Sequence, residues 1–168
     1  MPGSEGLAVS ADGTQAFVAS PYGGSFSATA EERPATGIRV VDARTASVVD
    51  TLPTENLVLP VHLTSTGKLL AGETRMEPDP VSRLGRHAPG RLTVFSADTR
   101  KQLGELEVGL CPLTITSSPD GRIAYVACVA SSTVDIVDLE TLQRLARLDI
   151  AKLGEPGAHG LAYIPRLD

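Results

Sequence analysis

The stretch TITSSPDGRIAYVAC, Thr114 to Cys128, followed by STVDIVDLETLQRLARLDI, Ser132 to Ile150, decides the fold. Ala124 to Val129 and Val134 to Val137 are short runs of β-branched and aromatic-bearing residues bounded by turn residues, which suits buried strands. Pro119-Asp120-Gly121 supplies the turn between the first two strands, with Gly free to take positive φ. Asp138 to Thr141 supplies a second turn, its side chains bonding the turn's own N–H groups. Leu139 to Leu148 has apolar residues at helical spacings of three and four, so this segment taken alone also fits a helix.

Two further copies of the pattern settle that ambiguity. Gly6 to Ser20 (GLAVSADGTQAFVAS) and Pro60 to Thr74 (PVHLTSTGKLLAGET) repeat the first hairpin, and their turn glycines Gly13, Gly67 and Gly121 stand 54 residues apart. Second hairpins follow from Gly37, Gly90 and Ser132, with Asp42, Ser96 and Asp138 at one equivalent place and Thr45, Thr99 and Thr141 at another. The stretches equivalent to the helix-like segment, Ala43 to Leu52 and Ala97 to Leu106, carry β-branched residues or a Gly and read as strands. One repeat is therefore two hairpins. A fourth copy begins at His159-Gly160-Leu161-Ala162, matching Glu5-Gly6-Leu7-Ala8.

The expected fold is all-β: a partial β-propeller of about three four-stranded antiparallel blades plus the first strand of a fourth. It forms a single domain over 1–168, with repeats at about 5–58, 59–112 and 113–158 and the start of another at 159–168. Composition agrees, since 16 Gly and 12 Pro among 168 residues punctuate the chain too densely for long helices.

The formal charge of −5 is interspersed, with no Lys/Arg run to neutralise a phosphate backbone, so nucleic acid is not an expected partner. No apolar stretch approaches the roughly 20 residues of a membrane helix. Met1 to Ser10 lacks a basic segment followed by an apolar core, so no signal peptide is expected there.

The third unit, Ser118 to Cys128 with Ser132 to Asp138 and Thr141, resembles the Tyr-Val-Thr-Asn (YVTN) propeller repeat. The first unit matches with Phe17-Val18-Ala19-Ser20, and the second is degenerate at Ala71-Gly72-Glu73-Thr74. Proteins of this kind include surface-layer and periplasmic proteins, lactonase-like enzymes, and haem d1 and quinone-dependent propeller enzymes. The resemblance thus implies a periplasmic or extracellular setting, and rings that close with six to eight blades. Three blades are too few, which leaves a truncated product, a segment of a longer protein, or a homodimer completing the ring.

Two functions remain open. One is a non-catalytic binding or assembly module that takes a small polar ligand or a protein partner at the loop-bearing face. The alternative is a fragment of a lactonase-like hydrolase or quinoprotein-type dehydrogenase with its site at that channel face.

The connectors between second and third strands are unequal. Pro21 to Thr36 and Arg75 to Pro89 are long, and Val129 to Ser131 is short. Long loops are either functional or tolerated insertions. Arg75, Glu77, Asp79, Arg83, Arg86 and His87 form a mixed-charge patch that suits a polar or acidic ligand, or plain solvation. Glu73, where the other units show Ala19 and Ala127, is a candidate ligand or acid–base group, though a surface strand end accepts Glu too. A lactonase-like site would draw its carboxylates from Glu73, Glu5 and Asp79.

His62 stands on an innermost strand where the other units have Ala8 and Thr116, and His159 stands at the start of the fourth copy. Both are candidate ligand-binding residues near the channel, or donors to nearby backbone groups. Cys111 falls opposite residue 128 or 129, which permits a cross-strand disulfide with Cys128, with reduced buried thiols the expected state. No Cys/His spacing makes a zinc or haem site, and no Gly-x-Ser-x-Gly, phosphate loop or His-Glu-x-x-His is present, so neither metal nor cofactor is expected.

Overall fold

Twelve strands run through the described residues. The computed structural model describes residues 6–19, 37–82, 85–154 and 156–164. β1 (Leu7–Val9), β2 (Gln15–Ala19), β3 (Gly37–Asp42) and β4 (Ser47–Pro53) form one antiparallel sheet in that spatial order. β5 (Leu57–Leu63), β6 (Lys68–Glu77), β7 (Arg86–Ser96) and β8 (Gln102–Leu110) form the second. β9 (Pro112–Ser117), β10 (Ile123–Cys128), β11 (Thr133–Asp138) and β12 (Gln143–Asp149) form the third. The protein is thus all-β with three four-stranded sheets, and the helix-like segment from Leu139 is a turn followed by β12.

Turn chemistry explains the repeated hairpins. Gly13, Gly67 and Gly121 have φ of 70°, 77° and 67°, the left-handed region that only Gly occupies without cost. At the second turn, Asp42 Oδ1 accepts the N–H groups of Arg44 and Thr45, and Asp138 Oδ1 those of Glu140 and Thr141. Ser96 Oγ accepts the Thr99 N–H in the middle unit. The residue after each Thr is also left-handed although none is Gly: Ala46 at 54°, Arg100 at 61° and Leu142 at 53°. Each such turn is followed by a register shift in the third-to-fourth strand ladder.

Two cores lie between consecutive sheets. Phe17, Ile38 and Val40 of the first sheet pack against Val58, Leu69, Ala71 and Phe95 of the second. Leu70, Leu92 and Val94, on the other side of the second sheet, pack against Val126, Cys128 and Val137 of the third. Successive strand residues point to opposite faces, so Lys68, Leu70 and Gly72 face the third sheet, while Leu69, Ala71 and Glu73 face the first.

That alternation corrects the sequence alignment by one residue. The first turn runs from the Ser10 N–H to the Gln15 carbonyl and from Ser118 to Ile123, but from Thr64 only to Lys68. The middle turn is one residue shorter, so Glu73 is the counterpart of Cys128 and not of Ala127. By the same register Gln15 is the counterpart of Lys68.

Two expectations fail. Among the described residues the start of the fourth copy forms no strand: 156–164 has no regular structure. A lone strand has no neighbour to take its N–H and C=O groups. Ala158 and Leu161 instead pack on Ala127, Val134 and Tyr125, on the outward face of the third sheet. Second, most of the expected loop Arg75 to Pro89 is hairpin: β6 continues to Glu77 and β7 begins at Arg86, with Arg75 opposite Ala88 and Glu77 opposite Arg86. The connector Pro21 to Thr36 lies outside the described residues.

Candidate functional site

The four residues singled out from sequence do not converge. Glu73 is 2% exposed on the side of β6 that faces the first sheet. Its Oε2 accepts the backbone N–H and the Nδ2 of Asn56, at 3.0 and 2.9 Å, and its Oε1 accepts the Thr93 hydroxyl at 2.5 Å. Asn56 belongs to the crossover from β4 to β5, so this carboxylate pins the chain where it passes between sheets. It is neither a surface strand end nor a free acid.

His62 is opposite Leu70 in register and faces the third sheet, the reverse side from Glu73. Its Nε2 lies 2.9 Å from Ser117 Oγ of β9, tying two innermost strands together. Burial of the half-covered imidazole pushes its pKa below the ordinary value. Arg75 donates to the Pro89 carbonyl across its own hairpin at 3.2 Å. His159 is exposed in the unpaired segment 156–164, and no hydrogen bond engages it among the described residues.

The mixed-charge patch is largely satisfied within one hairpin. Glu77 pairs with Arg86 at 3.0 Å, and Asp79 Oδ1 accepts the N–H groups of Val81 and Ser82, which holds its pKa down. His87 is exposed, and Arg83 and Glu5 lie outside the described residues.

The strongest polar constellation is one the sequence reading missed. Asp135 of β11 is fully buried, facing the second sheet. Arg147 of β12 grips it with two bonds, Nε to Oδ1 at 2.7 Å and Nη2 to Oδ2 at 2.8 Å, and Arg144 Nη1 approaches Oδ1 at 3.4 Å. Oδ2 also accepts the backbone N–H of Gly109 at 2.8 Å, near the end of β8. Asp135 thus does for the second crossover what Glu73 does for the first, from the third strand instead of the second. The signal was present in VDIV: a carboxylate in the middle of an apolar strand is too costly to bury unless paired.

The cysteines are free. Cys111, between β8 and β9, packs with Leu57 and Leu59, whereas Cys128 packs between the second and third sheets, so the two thiols occupy different clusters although the Cys111 carbonyl accepts the N–H of Val129. Burial pushes the Cys111 thiol up; burial, reinforced by Asp135, raises that of Cys128 to about 12. Among the described residues no three His, Cys, Asp or Glu side chains gather as a metal site, and no helix is long and apolar enough to cross a membrane.

No family model matches the sequence, and no curated protein matches it. Among solved structures, Kuenenia stuttgartiensis hydrazine synthase is similar in fold, with a TM-score of 0.61 at 22% identity over 88% of this chain and 36% of that one. The chain therefore spans well under half the length of that protein's chain, and at this identity the likeness is one of fold alone.

Proposed function

We propose that the three sheets are consecutive blades of a β-propeller and that the chain serves as a binding or assembly module within a larger ring, not as a self-contained catalyst. The observation that carries this reading is the pair of outward apolar faces. On the first sheet Leu7, Val9 and Val48 are 62%, 51% and 49% exposed. They stand on the face opposite the one that Phe17 and Val40 bury against the second sheet. On the third sheet Tyr125, Ile136 and Leu148 point away from the second, only partly covered by 158–161. Faces of this kind, in sheets whose other side builds an ordinary core, suit a further blade.

The innermost strands support the same reading. β1 neighbours β5, and β5 neighbours β9. Gly6 lies so close to β5 that a Cβ there would meet the Leu59 carbonyl oxygen at 2.4 Å. The resemblance of the third unit to the YVTN repeat points in the same direction. An enzyme fragment has less behind it, because Glu73 and His62 face opposite sides of one sheet and both are engaged in holding neighbouring segments.

The faces are tested by placing charge on them. Val9→Glu with Leu148→Glu should abolish binding of a hydrophobic dye and any self-association of the purified chain, while leaving the β-sheet circular dichroism intact. Unchanged dye binding in the double variant would sink the reading.

A further inference from the structure

The end of the molecule that carries the hairpin turns holds two grooves, one at each sheet–sheet junction, and they differ. Between the second and third sheets the groove is closed by the protein itself. Lys68 Nζ donates to the Leu139 carbonyl at 2.6 Å, and Ser65 Oγ donates to the Pro119 carbonyl at 2.7 Å. Between the first and second sheets the corresponding groove is open, with a volume of about 440 Å³.

The substitutions responsible are legible in the register. Gln15 stands in the place of Lys68, one atom shorter and uncharged, and Ala11 stands in the place of Ser65 without a hydroxyl. Ala97 takes the place of Leu139, so its carbonyl occupies the position that accepts the ammonium next door. The open groove is lined by Phe17 and Leu63 and by two carboxylates, Asp12, which already accepts bonds from Ser10 and Thr14, and Asp98. Among the described residues no ion pair engages Asp98, whereas its counterpart Glu140 pairs with Arg122 at 3.6 Å.

We propose that this groove binds a primary alkylammonium group. The alkyl stem lies along Phe17 and Leu63, and the ammonium sits between the Ala97 carbonyl and the Asp98 and Asp12 carboxylates. The ligand supplies from outside what Lys68 supplies to the sister groove. This inference does not depend on the propeller reading, since the groove lies between two sheets of one chain and away from both outward faces.

The test is a titration of the isotope-labelled full chain, followed by amide NMR, with n-butylammonium, with Nα-acetyl-lysine N-methylamide, and with n-butanol as the uncharged control. Both amines should give saturable shifts at Gln15, Ala97 and Asp98, and butanol should give none. Tighter binding of the lysine amide would assign the ammonium to a partner protein's lysine, and tighter binding of butylammonium to a free amine. Asp98→Asn should weaken binding about five-fold, the scale of one exposed charge pair, and Gln15→Lys should abolish it by restoring the internal ammonium. Absence of saturable shifts with either amine, equal shifts with butanol, or indifference to Asp98→Asn would overturn the proposal.

Discussion

Replacing Asp135 with Ala is the sharpest perturbation this structure offers. The carboxylate is fully buried and holds three groups: Arg147 through two bonds of 2.7 and 2.8 Å, Arg144 at 3.4 Å, and the Gly109 N–H at 2.8 Å. Gly109 is itself buried, so its N–H would be left unsatisfied at a cost of about 1–3 kcal/mol. Arg147 is 40% exposed and can turn to water, which keeps the lost ion pair nearer the surface value of about 1 kcal/mol than that of a sealed pair.

The expected loss is about 3 kcal/mol, with about half that for Asp135→Asn, which keeps an acceptor for Gly109. At a urea m-value of roughly 2 kcal/mol/M the Ala variant should unfold about 1.5 M earlier at unchanged m. Equilibrium urea denaturation followed by circular dichroism reads this directly. A midpoint shift under about 0.3 M, or an Asn variant as damaged as the Ala variant, would refute the assignment of Asp135 as a buried clamp on the crossover.

Other expectations follow from the same structure. His62 has a folded-state pKa below its ordinary 6.5, so the unfolded chain takes up that proton first and stability falls as pH drops through about 6.5. Urea midpoints at pH 8 and pH 5.5 should show this loss, and His62→Gln should reduce it; an identical slope in the variant would contradict it. Ala46 is exposed and left-handed at φ 54°, so Ala46→Gly should raise stability by about 0.5–1 kcal/mol in thermal or urea unfolding, against the usual effect of adding Gly. The buried thiols of Cys111 and Cys128, both pushed above their ordinary range, should react with a disulfide reagent only after unfolding. Prompt labelling of the native chain would count against that packing.

Sheet count and turn positions were legible because turn chemistry is local. Gly13, Gly67 and Gly121 announce three equivalent hairpins, and Asp42, Ser96 and Asp138 announce the second turn of each. Residue-level equivalence was less legible, because removing one residue from the Thr64–Lys68 turn reverses which side chain faces which neighbour. Glu73 therefore looked like a carboxylate in an alanine's place at a strand end, when it is the counterpart of Cys128 on a buried face. Length of hairpin was hidden for a similar reason. Arg75 to Glu77 and Arg86 to Ala88 pair through their backbones, and of these six residues only Met76 and Ala88 are apolar, too few to write a strand pattern into the sequence. Asp135 and its two arginines were visible as residue types, but their meeting depends on the ladder that sets β11 beside β12.

Whether both outward sheet faces take further blades, as proposed, is read by sedimentation equilibrium of the wild-type chain over a range of concentrations. Exposed faces of this kind should give species heavier than the 17.5 kDa monomer, either a discrete dimer completing a ring or graded association, in each case abolished by Val9→Glu with Leu148→Glu. A single monomeric species at every concentration, with no affinity for a hydrophobic dye, would contradict the proposal.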